Sequence, residues 1–415
     1  HRFMADTVFV WLLAASLLQG AFARVLPLSL LPLFFASCGV ASLVLSCGEE
    51  SVHPLSTGLS TAFILVVTPQ RFHGKLCALV CFGYLAVVRV AAQLHGPANA
   101  AQLMLTLRLT SLGFDSSDGR LAAATPQQLL LYMCSAHGLF TGPFYTFHEW
   151  HSAMHPTAPP APPRAVAAAL ARGALAIVIW QTVVHALPFH RTRTEAWLEL
   201  PLAFRLGYFF VSSAQFRFRF YSCWLIVEAA GLLVGFPTPS NVHVLACELA
   251  ARPSSYIAAW NTSVQQFLVA YVYRRIPFKS RPIRQCGVFL VSAFWHGVRP
   301  GYYICFGFIF CMVCVEHLVS GATRETALVI SERRVLRALV GMVWPPPCSM
   351  GLLELSQRHA CLFDCRWATF GPWGAFASLG LRSTCSSGAT LAPFGTLLTI
   401  TASIYCLHPC FRASA

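Results

Sequence analysis

Apolar residues in this chain fall in long runs cut by short polar breaks, and period-two alternation is not the dominant pattern. About 20 apolar residues at 1.5 Å each cross a bilayer core of about 30 Å. Stretches near 7–23, 25–47, 58–69, 75–94, 98–114, 127–147, 165–188, 197–215, 221–236, 254–273, 285–298, 301–320, 327–344 and 386–406 therefore predict helices that span a membrane wholly or in part. Segments such as 58–69 and 285–298 are too short to cross alone. They are expected as broken or re-entrant helices sheltered by protein beside a polar cavity, the setting that tolerates such backbone at membrane depth. Residues 155–164, HPTAPPAPPR, form a linker, because proline removes donors and clashes with the preceding helical turn. From about 345 to 385 the regular patterning is lost and no element is assigned.

Composition turns this pattern into a class. Of 415 residues, 56% are hydrophobic and 11% charged, whereas a soluble globular chain carries about a quarter of its residues as charges. That share of the chain is roughly 232 apolar residues, enough for about 10 to 11 spans. The expectation is an all-α, polytopic, multi-pass integral membrane protein. A single-span receptor, a secreted disulfide domain and a nucleic-acid binder are excluded. The 29 Lys and Arg against 15 Asp and Glu read first as loop charges facing cytosol and lipid phosphates. Seventeen cysteines do not imply a disulfide framework, because Cys38, Cys77, Cys81, Cys223, Cys286, Cys305, Cys311 and Cys314 lie in apolar runs where a thiol packs as a small hydrophobe. Cys311 and Cys314 have CxxC spacing, but the run around them offers no further ligand, so no metal is expected. The opening VFVWLLAASLLQGAFAR resembles a cleaved leader, yet further apolar stretches follow at once and it is expected as a first transmembrane helix. The chain opens on His1, which leaves Met4 as a start or the chain as a fragment.

The most informative stretch runs from 254 to 303. Between two apolar segments lie Arg274, Arg275, Lys279, Arg281 and Arg284, a cationic turn broken by Pro277 and Pro282, which the positive-inside rule puts in the cytosol. Asn261 lies thirteen residues before Arg274, and His296 twelve residues after Arg284. At helical rise each reaches roughly 18 to 20 Å inward, near the middle of the bilayer. Polar side chains at that depth are costly unless they meet each other, water or substrate, which marks both as functional candidates. A neutral imidazole at His296 can accept a proton from a hydroxyl about to attack an electrophile. Trp295 and Gly297 flank it, the glycine leaving room for a substrate to reach the ring. The Asn261 amide can hydrogen-bond a head group or a developing oxyanion. On spacing alone, His296 also reads as a helix-packing histidine bonded to a neighbouring carbonyl. Asn261 opens the chain's one N-x-S/T triplet, and its depth speaks against glycosylation.

The run SAFWHGVRPGYY (292–303), with Trp260 and Asn261 upstream, resembles the signature of the membrane-bound O-acyltransferase family in its lysophospholipid acyltransferase branch. Three more motifs agree in order: NAAQLMLTLRLTSLGFD (99–115), GLFTGPFYTFHEW (138–150) and FRFRFYSCWLIVEAAGLLVGF (216–236). The last two are most similar to lysophosphatidylinositol acyltransferases, through Thr141, Gly142, Pro143 and Phe144 and through Arg217 to Tyr221. The resemblance covers about 75–320. It implies helices around a central chamber, catalysis by His296 and Asn261, and substrate contacts from Trp260, Trp295, Gly297, Tyr302, Tyr303, Arg217, Arg219, Tyr221, Trp224, Glu228 and the Thr141–Phe144 loop. The five residues from Arg217 to Glu228 also read as a polar helix face packed on its neighbours. The implied reaction moves a fatty acyl group from acyl-CoA, as co-substrate, to a lysophospholipid hydroxyl, with no other cofactor and an endoplasmic reticulum setting. Arg274, Arg275, Lys279 and Arg281 are candidates for CoA phosphates, or a topology signal facing lipid.

The expected organisation is N-terminal helices over 1–74, a catalytic core over 75–320 and divergent C-terminal helices over 321–415. Head group, acyl chain and oligomeric state stay open. Two rivals belong to other classes. His148, His151 and His155 have metal-like spacing, the mark of a membrane di-iron oxygenase, but His185 and His190 are a poor second cluster where such an enzyme needs several. A transporter fits the span count, but the chain lacks internal repeats and a ladder of intramembrane carboxylates. The pairing of His1 with Asp6 fits a differently folded acyltransferase group, and chance accounts for it at a terminus.

Overall fold

The computed structural model describes residues 2–94, 96–157, 161–236 and 240–325. The helices expected at 327–344 and 386–406, and the unpatterned 345–385, lie outside the described residues. Within them every regular element is helical: α1 (Arg2–Ala23), α2 (Leu31–Cys47), α3 (Val52–Val67), α4 (His73–Val87), α5 (Gly96–Ser117), α6 (Pro126–Cys134), α7 (Phe147–Met154), α8 (Pro163–Ala186), α9 (Glu195–Glu199), α10 (Leu202–Ser212), α11 (Ala214–Val234), α12 (Val244–Glu248), α13 (Pro253–Ala259), α14 (Thr262–Phe267), α15 (Arg281–His296) and α16 (Pro300–Glu325). Four helical runs among the described residues are long and apolar enough to cross a membrane: Leu28–Val67, Gln70–Ala92, Pro163–Ala186 and Pro300–Leu318. Leu45 and Val66 are 85% and 81% exposed, the signature of a surface that meets lipid tails rather than water. The chain is an all-α polytopic membrane protein.

Several remaining apolar stretches are interrupted, each for a local reason. Pro201 follows α9 and separates it from α10, so 197–215 is two short helices. The stretch 127–147 is helical only through Cys134, after which the backbone turns back on itself.

Contacts divide the chain into two compact units. The first holds His1–Ala176, Phe220–Leu249 and Ile257–Val298. At its centre is α5, which packs on α4, α3 and α2. Its apolar faces and its polar side chains are buried alike, including Gln102, Thr106, Arg108, Ser111 and Asp115. Each of these five side chains finds a partner. The Gln102 amide donates to Thr57 of α3 at 2.9 Å, Arg108 donates to the Ser135 carbonyl at 2.7 Å, and the Tyr271 hydroxyl donates to Asp115 at 2.9 Å. A buried polar helix is stable only when so satisfied. Gly113 permits the approach of α4, since a Cβ there would collide with Cys77.

The second unit holds Ile177–Arg219, Ala250–Tyr256 and the chain from Arg299. There the Tyr208 hydroxyl donates to the Pro188 carbonyl at 3.0 Å, and Glu316 accepts from the Ser254 hydroxyl at 2.6 Å and its backbone N–H at 3.0 Å.

Candidate active site

Asn261 and His296 both sit at helix ends of the first unit. Asn261 has φ 46° and ψ 54°, the left-handed region that asparagine enters more readily than other side-chain-bearing residues. That kink splits the expected 254–273 helix into α13 and α14, followed by a π-helical turn over Leu268–Val272. An asparagine immediately before a helix normally caps its first N–H groups. Here no cap bond forms, and Oδ1 instead accepts from Asn241 Nδ2 at 3.2 Å.

The segment 240–243 runs alongside. The Ser263 N–H donates to Asn241 Oδ1 at 3.0 Å, the Thr262 N–H to the Asn241 carbonyl at 3.0 Å, and the Thr262 hydroxyl to the Ser240 carbonyl at 3.1 Å. The Ser240 hydroxyl donates to Glu228 at 2.5 Å, and the second Glu228 oxygen accepts from Arg172 at 2.9 Å. Glu228 is thus bound into this support.

His296 closes α15. Its carbonyl accepts from Arg89 Nη1 at 2.5 Å, and the Trp295 carbonyl from Arg89 Nη2 at 2.7 Å. These belong to the last carbonyls of a helix, which lack partners within it, and a guanidinium there also meets the negative end of the helix dipole. Trp295 Nε1 donates to the Leu103 carbonyl of α5 at 3.0 Å, and its ring stands edge-on to the imidazole with centroids 4.7 Å apart. Gly297 follows with extended backbone and donates its N–H to Ala293 at 3.0 Å. Helix α15 packs along the π-helical turn, which is the hairpin that the cationic turn predicts.

The Thr141–Phe144 loop is anchored on both sides of this hairpin. Arg108 grips the Ser135 and His137 carbonyls ahead of it, and Gly138, at φ 66°, admits the Pro143 carbonyl where a Cβ would block it. The Phe144 N–H donates to Ser263 Oγ at 2.9 Å, two residues from Asn261. The Thr141 carbonyl accepts from Trp224 Nε1 at 2.9 Å. Trp260 stands in an aromatic cluster, 5.0 Å from Trp224 and 5.5 Å from Tyr221, while the Tyr221 hydroxyl donates to Glu248 at 2.8 Å. Phe144, Val264, Phe267 and Trp295 share one buried apolar cluster with Leu85, Met104, Leu107 and Tyr271. Motifs scattered from 99 to 297 therefore converge.

The remaining candidates fall in the second unit, in the cationic turn and on α7. Arg217, Arg219, Tyr302 and Tyr303 belong to the second unit; there Arg217 donates to Ser213 Oγ at 3.0 Å and Arg219 lies 5.5 Å from the Trp180 ring. In the cationic turn Arg275 donates to Asp118 and to the Ala270 carbonyl, both at 2.6 Å, and Arg284 to the Tyr273 carbonyl at 2.9 Å. Arg274, Lys279 and Arg281 are exposed. In the histidine cluster on α7 the rings of His151 and His155 stack at 4.4 Å. Burial first, then His155 and His148, hold His151 below the usual imidazole range. Among the described residues, no three His, Cys, Asp or Glu side chains are grouped to hold a metal.

Sequence reasoning missed Arg89, Ser240, Asn241 and Ser263. For Arg89 a signal existed, a cation fourteen residues into the apolar run that opens at Lys75. Asn241 follows PTPS, where an asparagine reads as an ordinary turn residue.

This is a membrane enzyme of a recognisable class. The MBOAT family model, for the membrane-bound O-acyltransferase family, matches residues 15–366, and the chain belongs to that family. The match passes beyond 75–320, the stretch the motifs cover, in both directions. The chain is similar to "membrane-bound acylglycerophosphatidylinositol O-acyltransferase MBOAT7" of Mus musculus, 27% identical over 70% of this chain and 74% of that protein. The Homo sapiens protein of the same name is 26% identical over 70% and 74%, and the Xenopus laevis one 25% over 70% and 75%.

Proposed function

We propose that this enzyme re-acylates a lysophospholipid, lysophosphatidylinositol in particular, using acyl-CoA as donor, in the endoplasmic reticulum membrane. The lipid hydroxyl oxygen attacks the thioester carbonyl carbon while His296 takes its proton. The tetrahedral oxyanion is held by the Asn261 amide N–H. Collapse breaks the C–S bond, the imidazolium returns the proton to the departing thiolate, and a diacyl phospholipid and free CoA leave. A thioester is already an activated acyl donor, so neither a covalent enzyme intermediate nor a further cofactor is needed. General-base help contributes about 10² to 10⁴ in rate, and an oxyanion donor about 10² to 10³.

The observation that carries this reading is the convergence of the Asn261 kink, the Thr141–Phe144 loop and the Trp295–His296 helix end around one apolar cluster, in a chain whose relatives are named for acylating glycerophosphatidylinositol. The head-group preference rests on those relatives.

Membranes containing the full chain, given a panel of acyl-CoAs against lysophospholipids with inositol, choline, ethanolamine and serine head groups, should release CoA fastest with lysophosphatidylinositol. Lipid mass spectrometry identifies the product. Equal rates across head groups would remove the inositol assignment, and no CoA release with any acceptor would remove the reaction.

A further inference from the structure

We propose that Asn241 is a positioning residue that sets which end of the Asn261 amide is offered to the reacting atoms. This rests on the catalytic reading of Asn261 above. A backbone N–H can only donate, so the Ser263 N–H, 3.0 Å from the Asn241 side chain, makes the contacted atom the oxygen Oδ1. The other arm of Asn241 is then Nδ2, a donor. It faces Asn261 at 3.2 Å, and the atom it meets must accept, so it is Asn261 Oδ1. Asn261 Nδ2 is therefore turned away from Asn241 as a hydrogen-bond donor.

Without this lock the Asn261 amide has two orientations, one presenting a donor and one an acceptor. Only the first stabilises an oxyanion. The orienting residue is itself immobile: Asn241 is 1% exposed, its carbonyl accepts from the Thr262 N–H, and its neighbour Ser240 is tied to Glu228 and through it to Arg172. Asn261 makes no cap bond of its own that would fix the amide in another way.

Two substitutions in the full-length protein test this. Asn241→Asp keeps an acceptor for the Ser263 N–H but, as carboxylate, sets an oxygen against Asn261 Oδ1 and so turns the amide around. Asn241→Leu has similar volume and neither arm. Both should lower kcat about tenfold or more, with KM for the lysophospholipid within about twofold and a cooperative melt that shows each variant folded. Added to Asn261→Ala, neither should cost more than about twofold further, because the amide being oriented is already gone. A folded Asn241→Leu enzyme with kcat within twofold of wild type would overturn the positioning role. So would losses that multiply in the double variants. If Asn261→Ala alone leaves kcat intact, the failure lies with the catalytic reading of Asn261 rather than with Asn241.

Discussion

Asn261 and His296 are tied into the first unit by different kinds of bond. Asn261 is held through its side chain, in a mesh of side-chain and backbone bonds that passes through Asn241, Ser240 and Glu228. His296 is held through its backbone, by a guanidinium that clasps two carbonyls and by the indole N–H of the residue before it. The difference fits the work proposed for each. An amide that must present one of two look-alike ends needs its side chain oriented, whereas an imidazole that accepts and returns a proton needs the helix end that carries it held in place. A chain can supply the first only with a polar partner beside the residue. The second can come from a partner reaching the main chain.

Four substitutions test this difference, in falling order of effect. His296→Ala removes the base and should lower acyl transfer by 10² or more, with the amount of protein in the membrane unchanged; CoA release per unit of immunodetected protein reads it, and retained activity rejects the assignment. Asn261→Ala should cost about 10² in kcat with little change in lysophospholipid KM. Next comes Arg89→Leu, which leaves two helix-end carbonyls without their donor: kcat should fall about tenfold and the detergent melting temperature by several degrees, while Arg89→Lys, lacking the two-armed fork, should fall between. Smallest is Arg172→Ala, because Arg172 is half exposed where it meets Glu228; a change under about 1 kcal/mol in stability and under twofold in kcat is expected from denaturation and rate measurements. An Arg172→Ala loss as large as that of Arg89→Leu would mean that both mounts depend equally on charge.

Much of this was legible in the sequence, and the rest failed for physical reasons. Apolar run length announced a polytopic helical protein, and counting inward from Arg274 and Arg284 paired Asn261 with His296 on one hairpin, whose packed helices the structure contains. The kink at Asn261 was not legible, because a left-handed residue inside an apolar run leaves no periodic trace. The polar character of α5 was hidden by the leucines between its polar residues: apolar run length marks 98–114 as a spanning helix and does not show that its polar side chains pair inside the protein. Asn241 was invisible because a turn asparagine is cheap on any surface, and only the bond from the Ser263 N–H gives it a direction.

The pairing of α5 also constrains how the chain is made. Gln102 finds its partner on α3, which leaves the ribosome earlier, but Arg108 finds its partners at Ser135 and His137, which emerge later. Until those residues are synthesised the guanidinium has no carbonyls to hold, and lipid is a poor place for it to wait. The bonds that Arg108 makes at the heart of the first unit therefore form only after His137 has been added to the chain.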